Sequence, residues 1–451
     1  MKDFDARSAV EQAFPQYLQD LTTLVSANSK NMPPVEGAPF GAGVQQALSG
    51  AIAIAKRMGF STFLEPSGYY GYAEVGEGKE MLGVLGHLDV VPADDVENWN
   101  TPPFTLTEKD GLIYGRGVAD DKGPMLASLY AMKLLLDAGI QLNKRVRFIF
   151  CTDEESLWRG VKKYMEQEEH PTFGFTPDAD FPLLFAEKGL VEYTLTAHEK
   201  DSVILSGGTA LNAVAASAQT PYDAKIEEAL KALGYEYAVE GDKLVVKGRA
   251  VHAMDADKGT NAIVRLCQAL VKAGVGGTMA RFITEMCAHA FAEPIFGDIS
   301  DTFSGRLTCN LGLADFKPGT QTLGIDIRFP VSFQKEQIAA LLEKAAAKYD
   351  IAVEEFDYLH PLHIDINTPL VQSLLKAYRD VTGDTETQPI STGGATFARS
   401  MDNIVAFGAQ MPGVPTSEHE ANESAVVADL KLSMQIYMRA FELLLSEEGN
   451  R

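Results

Sequence analysis

The first third of the chain alternates between stretches with a helical spacing of apolar residues and short, continuous apolar runs. VQQALSGAIAIAKRMGF at 44–60 carries an apolar stripe with helical spacing. The runs MLGVLGHLDVV at 81–91 and KRVRFIFCT at 144–152 are typical of strands buried on both faces. A further stretch with helical spacing, 123–139, lies between these two runs and ends in glycine. Strands that alternate with helices predict an α/β fold with a mostly parallel sheet flanked by helices.

A different pattern begins at residues 190–208, where apolar and polar residues alternate, and it recurs at 237–253. This alternation is typical of antiparallel strands with one exposed face. The segment TPLVQSLLKAYRDVTG at 368–383 returns to helical spacing. We therefore predict a discontinuous α/β domain with an α+β domain inserted in it. The predicted boundaries are 1–189 and 363–451 for the first domain and 190–362 for the insert.

Charge and cysteine content restrict the partners and the compartment. The chain has 62 acidic residues against 39 Lys and Arg, a formal net charge of −23, which would repel nucleic acid and anionic membranes. Its four cysteines are far apart and form no Cys-x-x-Cys pair, which fits a reducing compartment. We find no export signal and no apolar run near the roughly 18 residues that span a bilayer. The sequence therefore predicts a cytoplasmic protein with neither nucleic acid nor membrane as a partner.

Polar side chains follow several of the predicted strands or lie in the loops beyond them. GHLDVV carries His87 and Asp89 directly after a buried run, and FIFCTDEESL ends another run in three consecutive acids. Three more motifs carry candidate ligands: GRGVADDKG with Asp120, FTPDADFP with Asp178, and TSEHEANES with His419. Because ligands bind beyond the carboxyl ends of parallel strands, we expect these side chains to converge.

Each of these motifs, taken alone, also has a purely structural interpretation. His87 could be a hydrogen-bonded surface histidine, Asp120 a helix cap, and Asp178 a turn residue after proline. Their coincidence at predicted strand ends favours a site. Imidazole and carboxylate ligands without thiolate suit zinc, manganese or cobalt. Two histidines and three or four carboxylates suffice for two ions that share one bridging Asp. Two such ions lie about 3.5–4 Å from each other.

The five motifs GHLDVVP, GRGVADDKG, TDEES, PDADFP and HEANE, in this order, resemble those of a known enzyme family. This is the family of two-metal metallopeptidases that includes aminoacylase, carboxypeptidase G and acetylornithine deacetylase. The spacing and the long insert are most similar to its dipeptidase V branch, which includes carnosinase-like dipeptidases. The resemblance extends from about residue 80 to residue 425 and implies that the insert is a lid over a catalytic domain.

The resemblance implies two divalent metal ions, with zinc as the first choice and manganese or cobalt as alternatives. His87 and Asp178 would bind one ion, Glu155 and His419 the other, and Asp120 would bridge them.

The same resemblance implies roles for two further acids. Glu154 would be the general base and would later protonate the leaving amine, and Asp89 would hold the ligating tautomer of His87. For Asp153, a structural role in the loop and support of the ligands both remain open.

The insert also resembles the family, through the motif KGRAVHAMDADKGTNA. His252 in this motif would donate a hydrogen bond to the substrate carbonyl. Asn212 and Arg328 would bind the C-terminal carboxylate of the substrate, with Arg399 as the alternative anchor. Gly393 and Gly394, in STGGATFAR, would contact the substrate through the backbone.

Taken together, the resemblance implies a dinuclear dipeptidase. It would hydrolyse dipeptides or other short peptides with a water molecule bridged by the two ions, and it would act as a monomer, with a homodimer left open. An N-acyl amino-acid deacylase of the same family is the alternative, and a non-catalytic peptide-binding homologue is a further one.

Overall fold

The structure, a computed structural model, describes residues 4–199 and 203–445 and falls into two compact units. The first unit comprises Met1–Phe185, Ile364–Ile390 and Thr396–Arg451, as far as these segments are described. The second comprises Ala186–His363 and the short segment Ser391–Ala395. The boundaries predicted from the sequence lie close to these, except that the prediction assigned Ser391–Ala395 to the first domain.

From residue 4 to the start of β9, the first segment of the first unit contains four α-helices and eight strands. The helices are α1 (Ala6–Val25), α2 (Ala42–Arg57), α3 (Lys122–Asp137) and α4 (Arg159–Gln167). The strands are β1 (Ser61–Leu64), β2 (Tyr70–Val75), β3 (Met81–His87), β4 (Thr107–Lys109), β5 (Leu112–Tyr114), β6 (Arg145–Cys151), β7 (Phe173–Thr176) and β8 (Ala179–Asp180). The chain passes into the second unit along β9 (Leu184–Glu187).

Between β9 and residue 364, the described part of the second unit contains five α-helices and eleven strands. The helices are α5 (Ala224–Leu233), α6 (Ala262–Lys272), α7 (Thr278–Met286), α8 (Glu293–Phe296) and α9 (Lys335–Ala346). The strands are β10 (Gly189–Ala197), β11 (Leu205–Gly207), β12 (Ser217–Pro221), β13 (Tyr237–Glu240), β14 (Lys243–Lys247), β15 (Ser300–Asp301), β16 (Gly305–Arg306), β17 (Thr308–Lys317), β18 (Thr320–Phe329), β19 (Ala352–Leu359) and β20 (Leu362–His363).

The remaining elements follow His363 in the chain. They are α10 (Pro369–Thr382), β21 (Ile390–Thr392), β22 (Ile404–Ala406), β23 (Ala409–Gln410), β24 (Ser424–Val426) and α11 (Val427–Leu445). No helix within 4–199 and 203–445 combines the length and the apolar character needed to cross a bilayer.

The main sheet of the first unit has the strand order β1-β2-β6-β3-β7-β22-β9. Its four central strands, β6, β3, β7 and β22, run parallel, as the sequence predicts. The pairs β1–β2, β2–β6 and β22–β9 are antiparallel, which the sequence analysis did not predict. The mixed α/β fold is thus confirmed, with a parallel centre and antiparallel edges.

Burial explains why the central strands appear in the sequence as continuous apolar runs. Every residue of β3 is buried, since helix α3 packs on this strand and against α1 and α11. Strands β3 and β7 approach closely at two glycines, where a Cβ on Gly174 would lie 2.0 Å from the carbonyl oxygen of Gly83. Because β3 pairs in parallel with both β6 and β7, the three strands end at the same edge of the sheet.

The second unit is built on an antiparallel sheet with the order β13-β14-β12-β11-β17-β18-β10-β19. Helix α6 packs on β12 and β14 and against α5 and α7, and these elements share one apolar core. The alternating pattern of the sequence corresponds to strands of this sheet, with buried positions every second residue along most of β10. The predicted α+β character of the insert is confirmed.

Candidate active site

The carboxyl ends of β3, β6 and β7 bring three groups of side chains to one edge of the main sheet. His87 is the last residue of β3, Glu154 and Glu155 follow β6, and Asp178 follows β7. Because these strands are parallel neighbours, the loops beyond them converge. Two further candidates come from loops, Asp120 from the loop before α3 and His419 from the loop before β24.

Asp120 lies between the two histidines. Its Oδ1 is 2.8 Å from Nε2 of His87, and its Oδ2 is 3.0 Å from Nε2 of His419. Each histidine has a second carboxylate nearby, Asp178 at 3.7 Å from His87 and Glu155 at 3.2 Å from His419. One carboxylate that faces a different imidazole with each oxygen has the form of a ligand shared by two cations.

The donor atoms of this cluster fit divalent cations. Two triplets, His87–Asp120–Glu155 and His87–Asp121–Asp178, each have ligand atoms that lie within 4.8 Å of one another. Oε1 of Glu155 and Oδ1 of Asp121 are buried and accept no hydrogen bond from the described residues. Buried carboxylate oxygens without donors need a positive partner, and imidazole plus carboxylate is a donor set for zinc and similar ions.

The crowding of acids gives the site a strong negative potential. Burial, followed by the Asp120 carboxylate, raises the pKa of Glu155 to about 7. Burial, followed by the carboxylates of Asp120 and Asp178, raises the pKa of Glu418 to about 8. Burial, with the charge of Asp178, also raises the pKa of Glu154 well above its usual range. Burial opposes the charged form of His419, but hydrogen bonds to Asp120 and Glu155 outweigh it and raise the pKa to about 11. All four shifts show that the site favours added positive charge.

His87 is oriented through its second ring nitrogen. Nδ1 lies 3.0 Å from the carbonyl oxygen of Asp89, so that a proton on Nδ1 leaves the Nε2 lone pair directed at Asp120 and Asp178. The carboxylate of Asp89 is 3.7 Å from Nδ1, and its Oδ2 accepts the main-chain N–H of Glu155 at 3.1 Å. The main chain of Asp89 thus contacts the histidine more closely than the carboxylate does.

The contacts of Glu154 differ from those of the adjacent Glu155. The carboxylate of Glu154 makes no hydrogen bond to the part of the chain that the structure describes, and it belongs to neither triplet of candidate ligands. Burial and the charges of Asp178, Glu155 and Asp120 raise its pKa, and Glu154 is adjacent in sequence to the candidate ligand Glu155. A nearby acid without a ligand role is what a proton acceptor requires.

Asp153 has a structural role in the loop after β6. It is fully buried with a φ of 69°, and its carboxylate accepts hydrogen bonds from Nε and Nη2 of Arg159 at 2.7 and 2.8 Å. The main-chain N–H of Arg159 donates to it as well, at 3.1 Å, and the amide of Asn31 also contacts it. These bonds fix the turn that presents Glu154 and Glu155.

Glu423 is a buried acid that the sequence analysis did not identify. Its carboxylate accepts the main-chain N–H groups of Gly117, Ala119 and Asp120 at 2.9–3.2 Å and Nη1 of Arg116 at 2.8 Å. It therefore holds the loop that carries Asp120. Its position in the HEANE motif, four residues after His419, was the only signal in the sequence.

The remaining predicted substrate contacts, apart from Arg399, lie in the second unit. Asn212 and His252 are exposed and lie on adjacent segments, which are joined by a β-bridge between Ala213 and His252. Nε and Nη2 of Arg328 bind Asp326 at 2.7 Å each, and Nη1 donates to the carbonyl oxygen of Gly393 at 3.0 Å. Within the described residues, one N–H on each Nη atom of Arg328 has no acceptor.

Gly394 and Arg399 complete the predicted set. The N–H of Gly394 donates to Oγ1 of Thr392 at 2.9 Å in the second unit. Arg399 belongs to the first unit, where it is 1% exposed. The substrate roles of the residues in both units stay predictions.

Comparison with known proteins identifies relatives along nearly the whole chain. The family model for peptidase family M20/M25/M40 matches residues 83–443. A Bacillus subtilis protein named "Putative dipeptidase YtjP" is 37% identical over 430 residues, which cover 90% of this chain and 91% of that protein. Human carnosine dipeptidase 1 aligns with a TM-score of 0.62 at 18% identity, over 97% of each chain. The dipeptidase Dug1p of Saccharomyces cerevisiae also gives a TM-score of 0.62, at 15% identity over 97% of this chain and 98% of its own.

Proposed function

Because the chain belongs to the M20/M25/M40 family of peptidases, we propose that it is a metal-dependent dipeptidase. The observation that carries this proposal is the position of Asp120 between His87 and His419, at 2.8 and 3.0 Å. The dipeptidase name of the Bacillus subtilis relative supports the substrate class.

The proposed ligands are those of the resemblance, with His87 and Asp178 for one divalent ion and Glu155 and His419 for the other. Asp120 would be shared between them, and zinc is our first choice because imidazole and carboxylate commonly bind zinc in hydrolytic sites. When bound, such ions polarise the scissile carbonyl and lower the pKa of water. Glu423 would keep the loop of Asp120 in place through its four hydrogen bonds.

Glu154 is the proposed general base. Its carboxylate has no hydrogen-bond partner in the described chain, and burial raises its pKa well above the usual range, which favours uptake of a proton. In the proposed reaction it takes the proton from the attacking water and delivers it to the nitrogen of the leaving amine. Asp89 would support this step by holding the N–H of Glu155 and the orientation of His87.

Residues of the second unit are the proposed binding groups for the rest of the substrate. Arg328 keeps one N–H on each Nη atom for a carboxylate, a pair well suited to bidentate binding. Asn212 would bind the same carboxylate, with Arg399 as the alternative anchor. His252 would donate to the substrate carbonyl, and the backbone of Gly393 and Gly394 would contact the peptide.

We further propose that the protein acts as a monomer in the cytoplasm. All four cysteines are buried and free, which suits a reducing compartment. Light scattering of the purified protein, coupled to size-exclusion chromatography, would test the oligomeric state.

The test of the proposed function is a substrate panel. Purified protein loaded with zinc or manganese should hydrolyse dipeptides such as Leu-Ala and should leave N-acetyl-leucine essentially intact. Cleavage of N-acetyl amino acids alone would identify a deacylase and contradict the proposal. Peptide binding without hydrolysis, under every metal tested, would indicate a non-catalytic homologue and would also contradict it.

A further inference from the structure

A cavity of about 330 Å³ in the first unit borders the candidate metal centre. The metal-ligand candidate Asp178 forms part of its wall. Strand β23, the loop from Val414 to Glu418 and the start of α11 form most of the remainder. This volume lies in the range of about 300–1,000 Å³ that is typical of small-molecule pockets. A group bound at the metals could therefore extend into this cavity.

The wall of the cavity combines two kinds of chemistry. Leu112, Pro124, Met411 and Val414 supply apolar surface. Glu418 supplies a carboxylate that accepts no hydrogen bond from the described part of the chain. A carboxylate without a donor on the wall of a cavity can accept a strong, charge-assisted hydrogen bond from a cationic group. A ligand that carries a positive charge beside an apolar group would satisfy both parts of the wall.

The N-terminal residue of a dipeptide has this composition. Its α-ammonium nitrogen is separated from the scissile carbonyl carbon by the Cα atom alone, a distance of about 2.5 Å. A carbonyl bound at the metals therefore brings the ammonium group and the side chain, which share that Cα, next to the metal ligands. An N-acyl amino acid carries no charge at this position.

We propose that this cavity binds the N-terminal residue of the substrate, with Glu418 as the acceptor for its α-ammonium group. The inference rests on the proposed dipeptidase function and deepens it. It makes Glu418 a specificity residue that favours peptides with a free N-terminus and an apolar N-terminal side chain. Compounds without the ammonium group lose this interaction.

The experiment compares Leu-Ala with 4-methylpentanoyl-Ala, which has the same shape but lacks the ammonium group. In the zinc-loaded wild type, kcat/KM should be at least tenfold higher for Leu-Ala, since hydrogen bonds to charged groups are strong. Glu418→Gln should reduce this ratio at least tenfold. Glu420→Gln is the matched control, because Glu420 is exposed on the other side of His419 and does not border the cavity. It should leave the ratio unchanged.

Binding without turnover provides an independent readout. In a Glu154→Ala background, calorimetry should show that Glu418→Gln weakens the binding of Leu-Ala at least tenfold and affects 4-methylpentanoyl-Ala much less. Equal weakening of both ligands would overturn the inference. Metal content, measured on the same samples, shows whether His419 still binds its ion.

If Glu418→Gln loses metal, a second variant tests whether the cavity binds the N-terminal residue. Val414→Phe adds volume at a half-buried loop position of the cavity wall and should lower kcat/KM for Leu-Ala relative to Gly-Ala at least fivefold. An unchanged ratio would contradict the assignment of the cavity.

If the wild type hydrolyses no dipeptide, the proposed function itself fails. If it hydrolyses dipeptides with ratios that neither variant changes, only the inference fails.

Discussion

At the residue scale, the adjacent acids Glu154 and Glu155 differ in their contacts, and this difference is the basis of the two roles proposed for them. Glu155 lies 3.2 Å from His419 and close to Asp120, whereas the carboxylate of Glu154 has no hydrogen-bond partner in the described chain. The two side chains have the same chemistry and follow the same strand. Their difference comes from the turn fixed by Asp153 and Arg159.

This difference predicts unequal effects of two matched substitutions. Glu154→Gln should lower kcat by about 10²–10⁴-fold, the usual contribution of a general base, while metal content stays at two ions per chain. Glu155→Gln should reduce metal content as well as activity, because it removes a charged ligand. Plasma mass spectrometry of both variants, together with initial rates, checks the prediction. Equal metal loss in the two variants would refute the separation of roles.

Glu423 allows a stability prediction at the same scale. Glu423→Ala would leave the buried guanidinium of Arg116 without its carboxylate and should lower the free energy of unfolding by about 3–5 kcal/mol. Urea unfolding measures this change. The double variant Arg116→Met/Glu423→Ala should recover part of the loss, since no uncompensated charge remains. A single variant as stable as the wild type would show that the pair does not hold the loop.

Sequence reasoning identified residues whose chemistry is visible in a motif, such as His87 and Asp120. It did not identify Glu423, and it left Asp153 open. Both accept main-chain N–H groups and pair with an arginine, Glu423 with the buried Arg116 that is distant in sequence and Asp153 with the exposed Arg159 across a left-handed turn. Such contacts depend on the path of the backbone, which local residue patterns do not specify.

At the element scale, the central strands were predictable and the edge strands were not. Strands β3 and β6 are buried on both faces and therefore appear as apolar runs. Strands β1 and β2 are short and only partly buried, so they lack a clear period. Their antiparallel pairing also depends on contacts between elements and leaves no local signal.

The sheet of the second unit contains a group of acids that predicts a pH dependence. Glu192 of β10 lies directly opposite Asp326 of β18 and Asp357 of β19. Partial burial, followed by the charge of Asp326, raises the pKa of Glu192 to about 7. The folded state therefore holds a proton on Glu192 more tightly than the unfolded state does. Its contribution to stability is lost as the pH rises from about 4.5 to 7.

Glu192→Gln should remove this dependence. Relative to the variant, the wild type should lose about 1 kcal/mol of unfolding free energy between pH 4.5 and 7.5, with allowance for the partial exposure of the side chain. Urea unfolding at several pH values gives the difference between the two proteins. A difference that does not change with pH would contradict the assigned cause.

At the scale of the whole molecule, a net charge of −23 has a local counterpart in the acid-rich cluster around Asp120. The net charge follows from the composition of the sequence, and the order of the motifs indicates the acid-rich cluster. The cavity beside Asp178 could not be predicted from the sequence. Its wall combines residues of β5, α3 and three separate C-terminal segments.

The proposed mechanism requires two divalent ions that act together at Asp120. The most direct measurement titrates metal-free protein with zinc and follows the rate of Leu-Ala hydrolysis. The rate should rise up to two equivalents of zinc per chain and then stay constant. Full activity at one equivalent, or activity that does not depend on metal, would contradict this mechanism.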